Sequence, residues 1–170
     1  MRVLPTVLTA LLVFTPTAAA VERDQGGHQR GDYYQGGHER DEYEQVVVDS
    51  VRFPGLALAA GAQSEPVEVE VRTGRPDQRW RFHPDDAGVF TTVVHWQLRG
   101  CLTAYSPTRI TVLECIGAQG QSWVERSHPG GSFALESALY AGECLTASRP
   151  FEAVDVRPCQ EGDPRQAWTR

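Results

Sequence analysis

Four cysteines and five histidines carry most of the reactive chemistry in this chain. Cys101, Cys115, Cys144 and Cys159 can ligate a metal, act as nucleophiles or pair as disulfides, and four cysteines allow three pairings. None shows the short Cys-x-x-Cys spacing of a zinc site. His83, His95 and His128 fall in expected turns or on expected strands, with no Ser/His/Asp motif in recognisable context. His28 and His38 stand beside carboxylates, but a glycine-rich stretch gives them no preset metal geometry. The expectation is a non-catalytic protein with no resident metal and no cofactor.

The elements that position these groups belong to an internal repeat. Gln78-Arg79-Trp80 recurs as Gln121-Ser122-Trp123 and Gln166-Ala167-Trp168, at intervals of 43 and 45 residues. Cys101-Leu102-Thr103-Ala104 recurs as Cys144-Leu145-Thr146-Ala147, and Ala57-Leu58-Ala59-Ala60 is a degenerate copy 44 residues upstream. Cys115 recurs as Cys159, again 44 residues on.

Between these marks the patterning is that of strands. Val67-Glu68-Val69-Glu70-Val71 alternates, which predicts valines inward and glutamates outward. Further strands are expected over Val89 to Leu98, Ile110 to Leu113 and Val154 to Arg157, the last ending at Pro158. His83-Pro84 and His128-Pro129 read as matching turns. No stretch shows helical periodicity, so the class is all-β. Each repeat holds too little core to stand alone, and three can pool their apolar faces about a pseudo-threefold axis. Trp80, Trp123 and Trp168 are then core residues, each worth several kcal/mol by buried area at ~25 cal/mol per Å². Gln78, Gln121 and Gln166 are expected to bond turn backbone that would otherwise be buried unpaired.

The Cys-Leu start and Gln-x-Trp finish resemble the ricin-type (ricin B-like) β-trefoil lectin family, over residues 46–170. The resemblance implies a β-trefoil of three pseudo-symmetric repeats. Repeats two and three each hold both cysteines, whereas repeat one has Ala57 and Val71 or Arg72 in their places. Loss of the pair together implies bonds within repeats, Cys101–Cys115 and Cys144–Cys159. Closing loops of about 15 residues, each is worth roughly 3 kcal/mol in the chain-entropy picture.

In that family a sugar is gripped by an Asp two residues after the first Cys, a Gln and an aromatic residue on the next strand, and an Asn before the Gln-x-Trp. Here the Asp position holds Ala59, Thr103 and Thr146, and the Asn position holds Asp77, Gly120 and Arg165. The strand positions hold Glu68 with Glu70, Thr111 with Leu113, and Asp155 with Arg157. The third repeat is the least stripped, with Asp155, Arg157 and Arg165 placed to converge with Phe151 from the loop. Tyr105 is a further candidate, as a loop ring on which a sugar could stack.

Outside the repeats, residues 1–20 read as a secretory leader, with Arg2, an apolar run and Ala18-Ala19-Ala20. Residues 21–45 form an acidic Gly/His/Tyr-rich stretch expected to be a disordered linker. A net charge of −6 argues against nucleic acid, and no segment is long and apolar enough to span a membrane. All basic residues are arginine, the mark of a GC-rich, actinomycete-like bacterial genome. The reading is a secreted binding module whose partner is a glycan or polysaccharide. A protein-interaction trefoil, as a toxin-complex subunit or protease inhibitor, is the alternative.

Overall fold

The computed structural model describes residues 44–170. The expected leader, and the expected linker up to residue 43, lie outside the described residues. The first repeat supplies β1 (Asp49–Ser50), β2 (Leu56–Ala59), β3 (Glu68–Val71) and β4 (Trp80–Pro84). The second supplies β5 (Thr91–His95), β6 (Gly100–Ser106), β7 (Arg109–Leu113) and β8 (Trp123–His128). The third supplies β9 (Ser132–Ser137), β10 (Glu143–Thr146), β11 (Asp155–Pro158) and β12 (Trp168–Thr169).

Six of these strands close a ring in the order β1, β12, β9, β8, β5, β4, each antiparallel to the next. The last gap is closed by Val46 and Trp80, which exchange backbone hydrogen bonds of 2.9 Å in both directions. Closure leaves no edge in the ring to pair with another chain. The hairpins β2–β3, β6–β7 and β10–β11 meet around the pseudo-threefold axis. Val67 N–H bonds the Ile110 carbonyl, and Val154 N–H bonds the Val67 carbonyl, both at 2.9 Å. Their side chains are fully buried, one from each repeat. The fold is an all-β trefoil.

The tryptophans and glutamines hold this arrangement in the same way three times. The Trp80, Trp123 and Trp168 rings are fully buried. Their indole N–H groups donate to the carbonyls of Leu58, Leu102 and Leu145 at 3.0, 3.0 and 3.2 Å. Each Gln ends a short 3-10 turn, at Pro76–Gln78, Gln119–Gln121 and Pro164–Gln166. Proline fits the first position of two of them, where its fixed φ suits a helical turn and its missing N–H costs nothing. The amide oxygens of Gln78, Gln121 and Gln166 accept from the backbone N–H of Thr73, Ile116 and Gln160. Their amide nitrogens donate to the carbonyls of Val71, Glu114 and Pro158. Buried backbone groups at the strand ends are thereby satisfied.

The disulfides are Cys101–Cys115 and Cys144–Cys159. In repeat one, Ala57 faces Glu70 as Cys101 faces Leu113 and Cys144 faces Arg157. Arg72 N–H bonds the Gly55 carbonyl at 2.8 Å, as Cys159 N–H bonds that of Gly142. Arg72 thus holds the second cysteine's place. Its guanidinium pairs with Asp49 at 2.7 Å, so an ion pair stands where the other repeats carry a staple.

Three expectations are corrected. Val71 is 58% exposed, because the inward alternation of β3 ends with Val69 where the strand leaves the core. Val89 lies outside β5, in the turn that Asp85 holds by accepting from the Val89 and Phe90 N–H groups. His83 and His128 are not equivalent: two residues lie between Trp80 and His83 and four between Trp123 and His128, so β8 carries its histidine further along the strand from the tryptophan.

A candidate ligand groove shared by two repeats

The strand registers show which residues are equivalent across the three repeats. Ala59 faces Glu68, Thr103 faces Thr111 and Thr146 faces Asp155. Thr103 and Thr146 are buried and turned inward. Each hydroxyl donates to a cysteine carbonyl, Cys101 at 2.8 Å and Cys144 at 2.7 Å, and accepts from the Gln121 or Gln166 amide. These positions have become part of the internal scaffold.

In the third repeat the charged candidates are brought together, but each is neutralised by a neighbour. Asp155 is buried, accepts from Arg157 Nε at 2.6 Å and from the Ser148 hydroxyl at 3.4 Å, and forms an ion pair with Arg157. Arg165 forks onto Asp163, with Nη2 2.6 Å from Oδ2. The same carboxylate caps the 3-10 turn by accepting from Arg165 N–H at 2.9 Å. The Arg165 guanidinium holds the Asp163 carboxyl below its ordinary range, against the opposing pull of partial burial.

Phe151 does not complete that cluster. It stands in the left-handed region at φ 59° and is 61% exposed. The groove it lines is otherwise made by repeat one: Glu68, Glu70 and Val71 of β3, and Thr73, Arg75 and Asp77 of the following turn. The groove is open, with a volume of about 300 Å³. The loop carrying Phe151 is tied to β3, with Val69 N–H donating to the Glu152 carbonyl at 3.2 Å and Glu68 bridging Ala153. The Glu68 and Glu70 carboxylates have no hydrogen-bond or ion-pair partner among the described residues. Arg75 approaches Asp77 Oδ1 only to 3.7 Å, and that buried oxygen accepts no hydrogen bond among the described residues. This surface therefore offers an aromatic face beside unspent acceptors.

Two other surfaces differ in character. Tyr105 belongs to β6 instead of a loop; it is 63% exposed and the Arg109 guanidinium stands 5.4 Å from its ring centre. Tyr140 donates its hydroxyl to the Tyr105 carbonyl at 3.3 Å. Ile116 of this repeat and Leu139 of the third are also exposed, Leu139 packing close over Gly120. A larger groove of about 660 Å³ runs between the β8–β9 hairpin and the stapled end of repeat three. There Arg126 pairs with Glu136, which also accepts from Gly142 N–H at 2.8 Å. Bonding by Arg126 holds the Glu136 carboxyl below its ordinary range.

His95 is architectural. It is fully buried and packs edge-on against Trp80 at 4.7 Å. Its Nδ1 accepts from Leu98 N–H at 3.1 Å, which leaves Nε2–H to donate to the Asp77 carbonyl at 3.0 Å. Burial lowers its pKa and keeps the ring neutral. Ser50 and Ser137 do the same work in the other repeats, each accepting the N–H three residues on at 3.2 Å.

No family model matches this chain, and no curated protein matches it in sequence. Solved structures do. A mosquitocidal holotoxin superposes with a TM-score of 0.67 at 13% identity, over 75% of this chain and 17% of the holotoxin. The designed three-fold symmetric protein ThreeFoil matches with a TM-score of 0.62 at 19% identity, over 74% of this chain and 94% of its own. The Polyporus squamosus lectin, bound to the epitope Neu5Aca2-6Galb1-4GlcNAc, matches at 0.63 and 15% identity, over 75% and 48%. The likeness is one of fold. Among the described residues no helix is long and apolar enough to cross a membrane.

The sequence pointed to Phe151, Glu68, Glu70 and Asp77 separately, and missed that they share one groove. No signal within a single repeat could have joined them, because the ring comes from the next repeat but one.

Proposed function

We propose that this protein is a secreted, non-catalytic carbohydrate-binding module. Residues 1–20 export it, residues 21–45 tether it, and the trefoil over 46–170 binds the sugar. The observation that carries the reading is the Phe151 ring exposed over a groove lined by Glu68, Glu70 and Asp77. A ring face takes the apolar face of a pyranose, and carboxylates accept from its hydroxyls, so the groove has both halves of sugar recognition. The two disulfides suit an oxidising compartment, and the trefoil lectin among its neighbours supports the same use of the fold. Asp155, Arg157 and Arg165 spend their charges on ion pairs with neighbours and take no part in this groove. The test is a glycan array probed with the oxidised chain and with Phe151→Ala, Asp155→Ala and Tyr105→Ala. Binding removed by Phe151→Ala and kept by the other two is expected. Silence across host and bacterial glycans would sink the reading.

A protein partner is the second reading, favoured by one observation. Tyr105 and Ile116 of repeat two and Leu139 of repeat three expose large apolar side chains, where a sugar site would be polar. This surface and the likeness to a holotoxin suit a toxin-complex subunit. Ile116→Asp separates the two: it abolishes partner capture and leaves glycan binding untouched.

A further inference from the structure

The charges around the Phe151 groove say what kind of sugar fits it. Glu68, Glu70 and Asp77 face the groove against one cation, Arg75, which is largely exposed and lies beside Asp77 alone. Glu68 and Glu70 sit two residues apart on β3, about 7 Å along one face of the strand, and their carboxylates have no partner among the described residues. Asp77 adds a third carboxylate to the groove, its side chain 24% exposed, with one oxygen buried and accepting no hydrogen bond among the described residues. Val71 and Phe151 add exposed apolar surface on the same groove. A neutral sugar satisfies the ring and leaves the carboxylates' charge unused. A uronic or sialic acid is repelled by them. The chain's net charge of −6 favours a cationic over an anionic ligand.

We infer that the groove takes a saccharide bearing free, protonated amines, such as an oligomer of non-acetylated hexosamine. The pyranose face lies on Phe151 while its ammonium groups pair with Glu68 and Glu70 and donate to Asp77. This rests on the carbohydrate reading above and narrows it. Acetylation removes the charge and the donors together, and so sets the contrast that tests it.

The experiment is calorimetric titration of the full chain with a β-1,4-linked glucosamine oligomer, its N-acetylated counterpart of equal length, and an oligolysine of equal charge. Two exposed ion pairs predict about tenfold tighter binding of the amine form, falling as salt is added. Glu68→Gln with Glu70→Gln removes that preference without loss of thermal stability, since neither side chain has a partner to lose among the described residues. Phe151→Ala weakens both saccharides. Equal binding of the amine and acetyl oligomers overturns the inference and leaves the carbohydrate reading standing. Failure of every saccharide, on the array as well, overturns both. Oligolysine binding as tightly as the glucosamine oligomer, or a double variant that keeps the preference, also overturns the inference.

Discussion

Installing the missing staple, by Ala57→Cys together with Arg72→Cys, is expected to stabilise the protein. The positions are 15 residues apart, against separations of 14 and 15 in the native bonds. Ala57 lies in the same register as Cys101 and Cys144, and Arg72 makes the backbone bond that Cys159 makes. The native pairs hold their Cα atoms 5.1 and 4.9 Å apart, and the shared register predicts a similar separation for the new pair. A loop of this length contributes roughly 3 kcal/mol through the unfolded state. Against it stands the Arg72–Asp49 ion pair, half exposed on the arginine side and worth about 0–1 kcal/mol. The net is about 2 kcal/mol, or roughly 6–12 °C in Tm for a domain of this size. Calorimetry of the oxidised variant against the oxidised parent, with each single variant as control, reads the shift. A thiol titration on the folded variant decides the geometry. Two free thiols, or a lower Tm with the bond formed, would show that repeat one does not superpose on the others at this point.

Three further outcomes follow from the pseudo-threefold frame. Arg99 holds φ 50° where the other repeats place Gly55 and Gly142 at 84° and 83°, so Arg99→Gly should raise stability by about 0.5–1 kcal/mol in denaturant unfolding. Gln121→Ala strips partners from the Ile116 N–H and Glu114 carbonyl and should cost about 2–4 kcal/mol, with the fold otherwise retained by circular dichroism. His95 gives an acid-side dependence. Its pKa is lowered in the fold, so the unfolded chain binds the extra proton. Stability is full above the ordinary histidine value of 6.5 and is lost as pH falls below it toward the folded value. His95→Gln should flatten that part of a Tm-against-pH curve, and an unchanged slope would move the effect to another group. Further into acid, Glu136 and Asp163 lose the pairing that lowers their own values, and stability falls again.

The repeat by itself made the fold legible. Trp80, Trp123 and Trp168 at nearly one period, with the paired cysteines, marked three copies of one unit, and the resemblance of those marks to the ricin-type family implied the trefoil. The disulfide partners, the inward glutamines and the strand positions of Glu68, Glu70 and Asp155 were readable because equivalent residues must meet equivalent surroundings. Tertiary structure alone decided three things. It showed that Thr103 and Thr146 turn inward, because a glutamine amide and a cysteine carbonyl are both within reach. It showed that Asp155 and Arg157 spend their charges on each other. And it carried Phe151 out of its own repeat and onto the groove beside β3. Periodicity reports what each unit shares with its copies. A groove built where two units meet is set by loop path and side-chain reach, and no period in the sequence encodes either.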